Sequence, residues 1–163
     1  MADDPFAPVE RWLTSALAAL EPGARKALFR EIGREVRKRN ARRIGRQTGP
    51  NGTPWPARKR NSHGKVRSTA KMLQGLRELR RLTVQADANG AKIGYSGRTA
   101  RLAAVHHFGG VDTVETGGAS VKYPARELLG LNSEDLASVR DKLMHALSSG
   151  KKGTSAFNGD VRK

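Results

Sequence analysis

The chain has no cysteine, few aromatics, few acidic residues and no long apolar run, and each shortage removes a class of protein. With no Cys among 163 residues, there is no disulfide framework, thiolate zinc site, iron–sulfur cluster or thiol nucleophile. The longest apolar stretches are a few residues, well short of the roughly 20 needed to span a bilayer. The acidic start, with Asp3 and Asp4, lacks the basic and apolar regions of a signal peptide. The expectation is a soluble protein made in a cytoplasm, with no membrane partner. Aromatics are 5% and apolar residues 37% of the chain. That is lean but sufficient for one modest core, and the length fits a single domain.

Acids number 15 against 31 Lys and Arg, for a net charge of +16, and the imbalance is local. Residues 1–24 hold one basic and four acidic residues, and residues 83–163 hold eleven and eight. Residues 25–82 hold 19 basic residues and three acids, Glu31, Glu35 and Glu78. The whole excess sits in that block, which should attract polyanions or acidic protein surfaces. Arginines lie all round its helical part and Trp55 is the sole aromatic of the adjacent loop, so base stacking and groove readout are not indicated. Two readings stay open, a solvated or protein-facing basic surface and sequence-independent phosphate contact.

Catalytic apparatus is missing as well. His106 and His107 are adjacent, and neighbours on a helix diverge by about 100°, so one packs and the other faces outward instead of sharing a metal. His63 and His145 read as solvated. Apart from Asp3-Asp4 at the start, Glu134-Asp135 is the one acidic pair, and it falls in the first turn of a helix, where negative charge favours the dipole. Gly45-Arg46-Gln47-Thr48-Gly49 lacks the ending of a phosphate loop, and Gly109-Gly110 follows a helix instead of opening one. No catalytic residue, metal site or cofactor is expected.

Spacing predicts helices at Val9–Leu20, from Ala24 to about Arg46, at Met72–Leu79, at Thr99–Phe108, and after a cap at Asn132 or Ser133. The long second helix is basic, with Leu28, Ile32, Val36 and Ile44 on a thin apolar stripe. Asn89-Gly90 marks a hairpin between Leu82–Ala86 and Ala91–Tyr95, and Gly117-Gly118 marks a second loop or hairpin. The expectation is α+β, a small antiparallel sheet packed against helices, with a long basic N-terminal helix and an extended basic loop over 47–68. Residues 1–149 form the domain and 150–163 a disordered tail.

Three segments resemble motifs of the phage virion morphogenesis family, also called tail completion proteins. Gly49-Pro50-Asn51-Gly52-Thr53-Pro54-Trp55-Pro56 is similar to that family's Asp-Pro-Asp-Gly-Thr-Pro-Trp-Pro. Ala104-Val105-His106-His107-Phe108-Gly109-Gly110 is similar to its Ala-x-His-Gln-Phe-Gly-Gly, and Pro124-Ala125-Arg126-Glu127-Leu128-Leu129-Gly130-Leu131-Asn132 to its Pro-Ala-Arg-Pro-Phe-Leu-Gly-Leu-Ser. The resemblance implies a non-enzymatic structural protein of the virion, in the tail or neck, assembled in a bacterial host cytoplasm. It implies a homo-oligomeric ring of six, meeting the tail tube or tail terminator and head–tail connector proteins, with DNA in the lumen as a non-specific partner. Trp55 between two prolines reads as a rigid plug, and Phe108 before two glycines as an aromatic kept in the core at a sharp turn. Core packing accounts for both; their other reading is a subunit interface. Candidate interface or anchor residues are Pro54, Trp55, Phe108, Gly109, Gly110, Arg126 and Leu129. Candidate contacts to DNA or an acidic surface are Arg34, Arg37, Lys38, Arg42, Arg43, Arg58, Lys59, Arg60, Lys65 and Arg67. The alternative from a different class is a small basic protein binding nucleic acid without specificity.

Overall fold

A computed structural model describes residues 7–58, 70–113 and 118–150. Its elements run α1 (Ala7–Ala18), α2 (Pro22–Arg46), a single 3-10 turn (Gln74–Arg77), β1 (Thr83–Ala86), β2 (Ala91–Gly94), α3 (Gly97–Phe108), β3 (Val111–Thr113), β4 (Ser120–Lys122) and α4 (Ser133–Gly150). The class is α+β, as the residue spacing predicts. The four strands form two separate antiparallel hairpins, β1 with β2 and β3 with β4. No described helix is long and apolar enough to cross a membrane.

Helix α2 is the spine. Leu28, Ile32, Val36, Asn40 and Ile44 recur every four residues, and all are buried, which makes one narrow stripe along about five of the helix's roughly seven turns. The N-terminal half of the stripe packs Leu28, Ile32 and Val36 against Leu17 and Leu20 near α1, Ile93 of β2, and Val139 and Leu143 of α4. The C-terminal half places Ile44 with Trp55, Leu76, Ala103 and Leu128 in a second cluster. Within the N-terminal half, Gly33 lets the helix lie close to β1, where a methyl group would come within 2.6 Å of Val84.

Local chemistry sets the ends. Proline at the second helix's first turn needs no N–H partner there, and Gln47 closes that helix in the left-handed region, φ 62°. In the β1–β2 turn, Asp87 Oδ1 accepts the N–H groups of Asn89 (2.7 Å) and Gly90 (3.0 Å). Asn132 caps α4 in a reciprocal box: its Oδ1 accepts from Asp135 N–H at 2.9 Å and its own N–H donates to Asp135 Oδ2 at 3.1 Å.

Two expectations are corrected. The helix at Met72–Leu79 shrinks to one 3-10 turn because Leu73 stands at φ 56°, outside helical space, and the backbone of Met72 is taken by the Gln47 side chain. Phe108 is not a core residue: it is 77% exposed, since Ala103 and His106 occupy the buried face of α3.

Candidate functional site

The C-terminal end of α2 gathers segments far apart in sequence. Gln47 Nε2 donates to the carbonyls of Ile44 (2.7 Å) and Met72 (3.0 Å), while its Oε1 accepts from Met72 N–H at 2.7 Å. Its own carbonyl accepts from Trp55 N–H at 2.8 Å. One residue therefore ties the helix end to Met72 through its side chain and to Trp55 through its carbonyl, and that tie supports its left-handed backbone.

Around this point the three motif segments bond to one another. Trp55 is 8% exposed within the second cluster, and its Nε1 donates to Glu127 O at 3.2 Å. Arg126, 5% exposed, donates from Nε and Nη2 to Pro56 O at 3.3 and 3.2 Å. Arg126 N–H donates to His106 O at 2.7 Å, and Leu128 N–H donates to His107 Nδ1 at 3.1 Å. Backbones also touch. Gly109 has φ 76°, and a methyl there would lie 2.8 Å from Ala125 N; one on Gly130 would lie 2.4 Å from Pro50. Each glycine is required by a close approach between motifs.

The basic surface divides in two. Arg34, Lys38, Arg42 and Arg58 are exposed and Arg37 half-buried; Lys59, Arg60, Lys65 and Arg67 lie outside the described residues. Arg43 does not join them. Its Nη1 donates to Asp135 Oδ2 at 2.6 Å and its Nη2 to Gly130 O at 2.9 Å. Arg39 Nη1 stands 3.6 Å from Asp135 Oδ1. Asp135 is 1% exposed, so a buried carboxylate draws two arginines of α2 inward. Together these residues and the loop at 48–52 line a groove of about 890 Å³.

The histidines pack. His106 is buried edge-on to Tyr123, ring centroids 4.8 Å apart; burial first, and then the charge of Arg126, push its pKa below the usual histidine value. Burial pushes the Tyr95 hydroxyl up to about 12, and its oxygen has no hydrogen-bond partner among the described residues. Tyr95 borders an apolar groove of about 400 Å³ that also takes in Ala104, Phe108 and Leu129. Among the described residues no cluster of three metal-binding side chains occurs.

The sequence profile of the phage virion morphogenesis family matches residues 4–148. The chain belongs to that family. It is 32% identical over 142 residues to tail completion protein S of Escherichia phage P2, covering 85% of this chain and 95% of that protein. No solved structure matches.

The fold of this phage virion morphogenesis protein shows what its motif residues do. They bind one another: Trp55 and Arg126 are braces, Gly109 and Gly130 permit contact, and His107, where the family's motif has Gln, supplies a ring nitrogen as acceptor. Pro54 is exposed, Gly110 and Leu129 half-buried. Three important residues were not singled out from sequence: Asn40, Gln47 and Asp135. Asn40 carried a signal, being a polar residue four positions from both Val36 and Ile44 on an apolar stripe. Its Oδ1 accepts Gly130 N–H at 3.0 Å, pinning the third motif to α2. Asp135 reads from sequence as a partner of the helix dipole, and only its spacing four residues before Val139 hints at burial.

Proposed function

We propose that the protein completes the phage tail as a non-catalytic structural component, a homo-oligomeric ring of six at the junction with the head. The observation that carries this reading is the likeness to tail completion protein S of Escherichia phage P2 over 95% of that protein's length. The motif residues support it by bonding to one another, as structural residues do. Subunits meet through the face bearing Phe108, a phenyl ring left 77% in water above an apolar groove; burial of such a ring contributes about 2 kcal/mol. The outward cations of α2, Arg34, Lys38 and Arg42, then face DNA in the lumen and contact phosphates without sequence preference.

The test is Phe108→Glu. Stability in urea should stay within about 0.5 kcal/mol of the parent, as for a surface position, while light scattering should show loss of the oligomer and the variant should be missing from purified particles. Absence of the parent protein from purified tails, or normal incorporation of the variant, overturns the reading. Binding of the oligomer to duplex DNA should weaken steeply with salt; no retention at low salt removes the lumen contact.

A further inference from the structure

A guanidinium taken out of water is costly unless an anion accompanies it. Arg126 is 5% exposed, yet it forms no ion pair with any described residue. Its partners are carbonyls only, those of Pro56 and, at 3.5 Å, Pro124. A guanidinium has five N–H donors, so part of its capacity is unspent. It borders a cavity of about 340 Å³ whose described lining holds Arg58, Lys71 and Lys122 as well, and no acid. Lys71 is committed to Gly45 O at 3.0 Å; Arg58 and Lys122 are exposed. The acid that acts on neighbouring His106 is Asp112, which does not line the cavity and pairs with Arg101 at 3.2 Å.

The remaining walls are Met72, Leu73, Val121 and Pro124, which are apolar, and the rings of His106 and Tyr123. Cations at the rim and apolar walls together call for a ligand with both characters. We infer that this cavity is a docking site for a carboxylate of a neighbouring protein chain, an acidic side chain flanked by an apolar one. A DNA phosphate is the poorer match. The duplex backbone is convex and wholly polar, and it could not line Met72, Leu73 and Val121 with apolar contact. The inference rests on the reading of the chain as an assembly protein, but its test uses the isolated protein, so failure here leaves particle incorporation as a separate question.

The probe is the peptide acetyl-Leu-Glu-Leu-amide, with acetyl-Leu-Gln-Leu-amide, inorganic phosphate and a short DNA duplex as comparisons, followed by NMR shifts of the His106 and Tyr123 rings. Charge-assisted hydrogen bonds are about twice as strong as neutral ones, so the Glu peptide should bind about 10-fold tighter than the Gln peptide. Lys122→Glu and Arg58→Glu, both at exposed positions, should each weaken the Glu peptide about 5-fold or more without changing the melting temperature. Equal binding of the two peptides overturns the inference, because the site would then be merely apolar. Phosphate or duplex moving the same rings while the Glu peptide does not also overturns it, as does full retention of Glu-peptide binding in both charge variants.

Discussion

Replacing Asp135 with alanine tests whether the third motif is held to the spine by charge. The carboxylate is 1% exposed and accepts from Arg43 at 2.6 Å and from Asn132 N–H at 3.1 Å. Its second oxygen has only Arg39 at 3.6 Å, a Coulombic neighbour too distant for a hydrogen bond. Removing one member of a buried pair costs about 3–5 kcal/mol. The Arg43 side chain keeps 13% of its surface accessible, so water relieves part of that cost and the loss should fall near 3 kcal/mol. For a domain of this size that corresponds to a drop of about 6–12 °C in Tm. Urea unfolding of Asp135→Ala, Arg43→Met and the double variant gives the coupling. It should reach about 2 kcal/mol, since the double variant strands neither charge. High salt should scarcely alter it, whereas the exposed Lys142–Glu31 pair should be worth under about 1 kcal/mol and should fade with salt. A loss below about 1 kcal/mol for Asp135→Ala, or additivity within about 0.5 kcal/mol, would refute the reasoning.

Gly109→Ala should destabilise by more than about 1 kcal/mol, because φ is 76° and the new methyl meets Ala125 N at 2.8 Å; Gly90→Ala, which meets nothing within 4 Å, should be far milder in the same urea titration. Trp55→Ala should cost about 3–5 kcal/mol as a cavity in the second cluster, and Trp55→Phe only about 1 kcal/mol, since it loses chiefly the bond to Glu127. His106 is held below the usual histidine pKa by burial and by Arg126, so the unfolded chain takes the proton first. Stability from this group is full above about pH 6.5 and falls as acid carries the pH down toward the folded value; thermal melts at neutral and mildly acid pH should show that slope in the parent and lose it in His106→Gln.

Periodicity made the helices legible. Leu28, Ile32, Val36 and Ile44 define α2 on their own, and Asn89-Gly90 and Gly109 place a turn and a stop through backbone chemistry that few other residues supply. What spacing could not reveal is which end of an amphipathic segment meets which partner. Phe108 sits two residues past His106 on α3, and only the packing of Ala103 and His106 decides that its ring faces out. Met72–Leu79 has helical spacing, but long-range bonds from Gln47 take the backbone groups a helix would need. Asp135 stands four residues before Val139 on the packed face of α4, but the partners that hold it there are arginines about ninety positions earlier in the chain.

The charge excess is therefore two populations on one helix. Arg39 and Arg43 turn toward Asp135 and stabilise the junction of α2 with the third motif. Arg34, Lys38 and Arg42 remain outside, where they repel one another and add nothing to the fold of a single subunit. Arg126 differs from them, a buried cation with no ion pair among the described residues. On the proposals above, the two cationic sites would take two different anionic neighbours. The outer helix face is open and suits an extended polyanion, while the small, apolar-walled cavity suits a single carboxylate. Variants at Arg42 and at Lys122 should accordingly separate: the first should lower the salt dependence of DNA binding by about one counterion, and the second should leave that slope unchanged while weakening acidic-peptide binding.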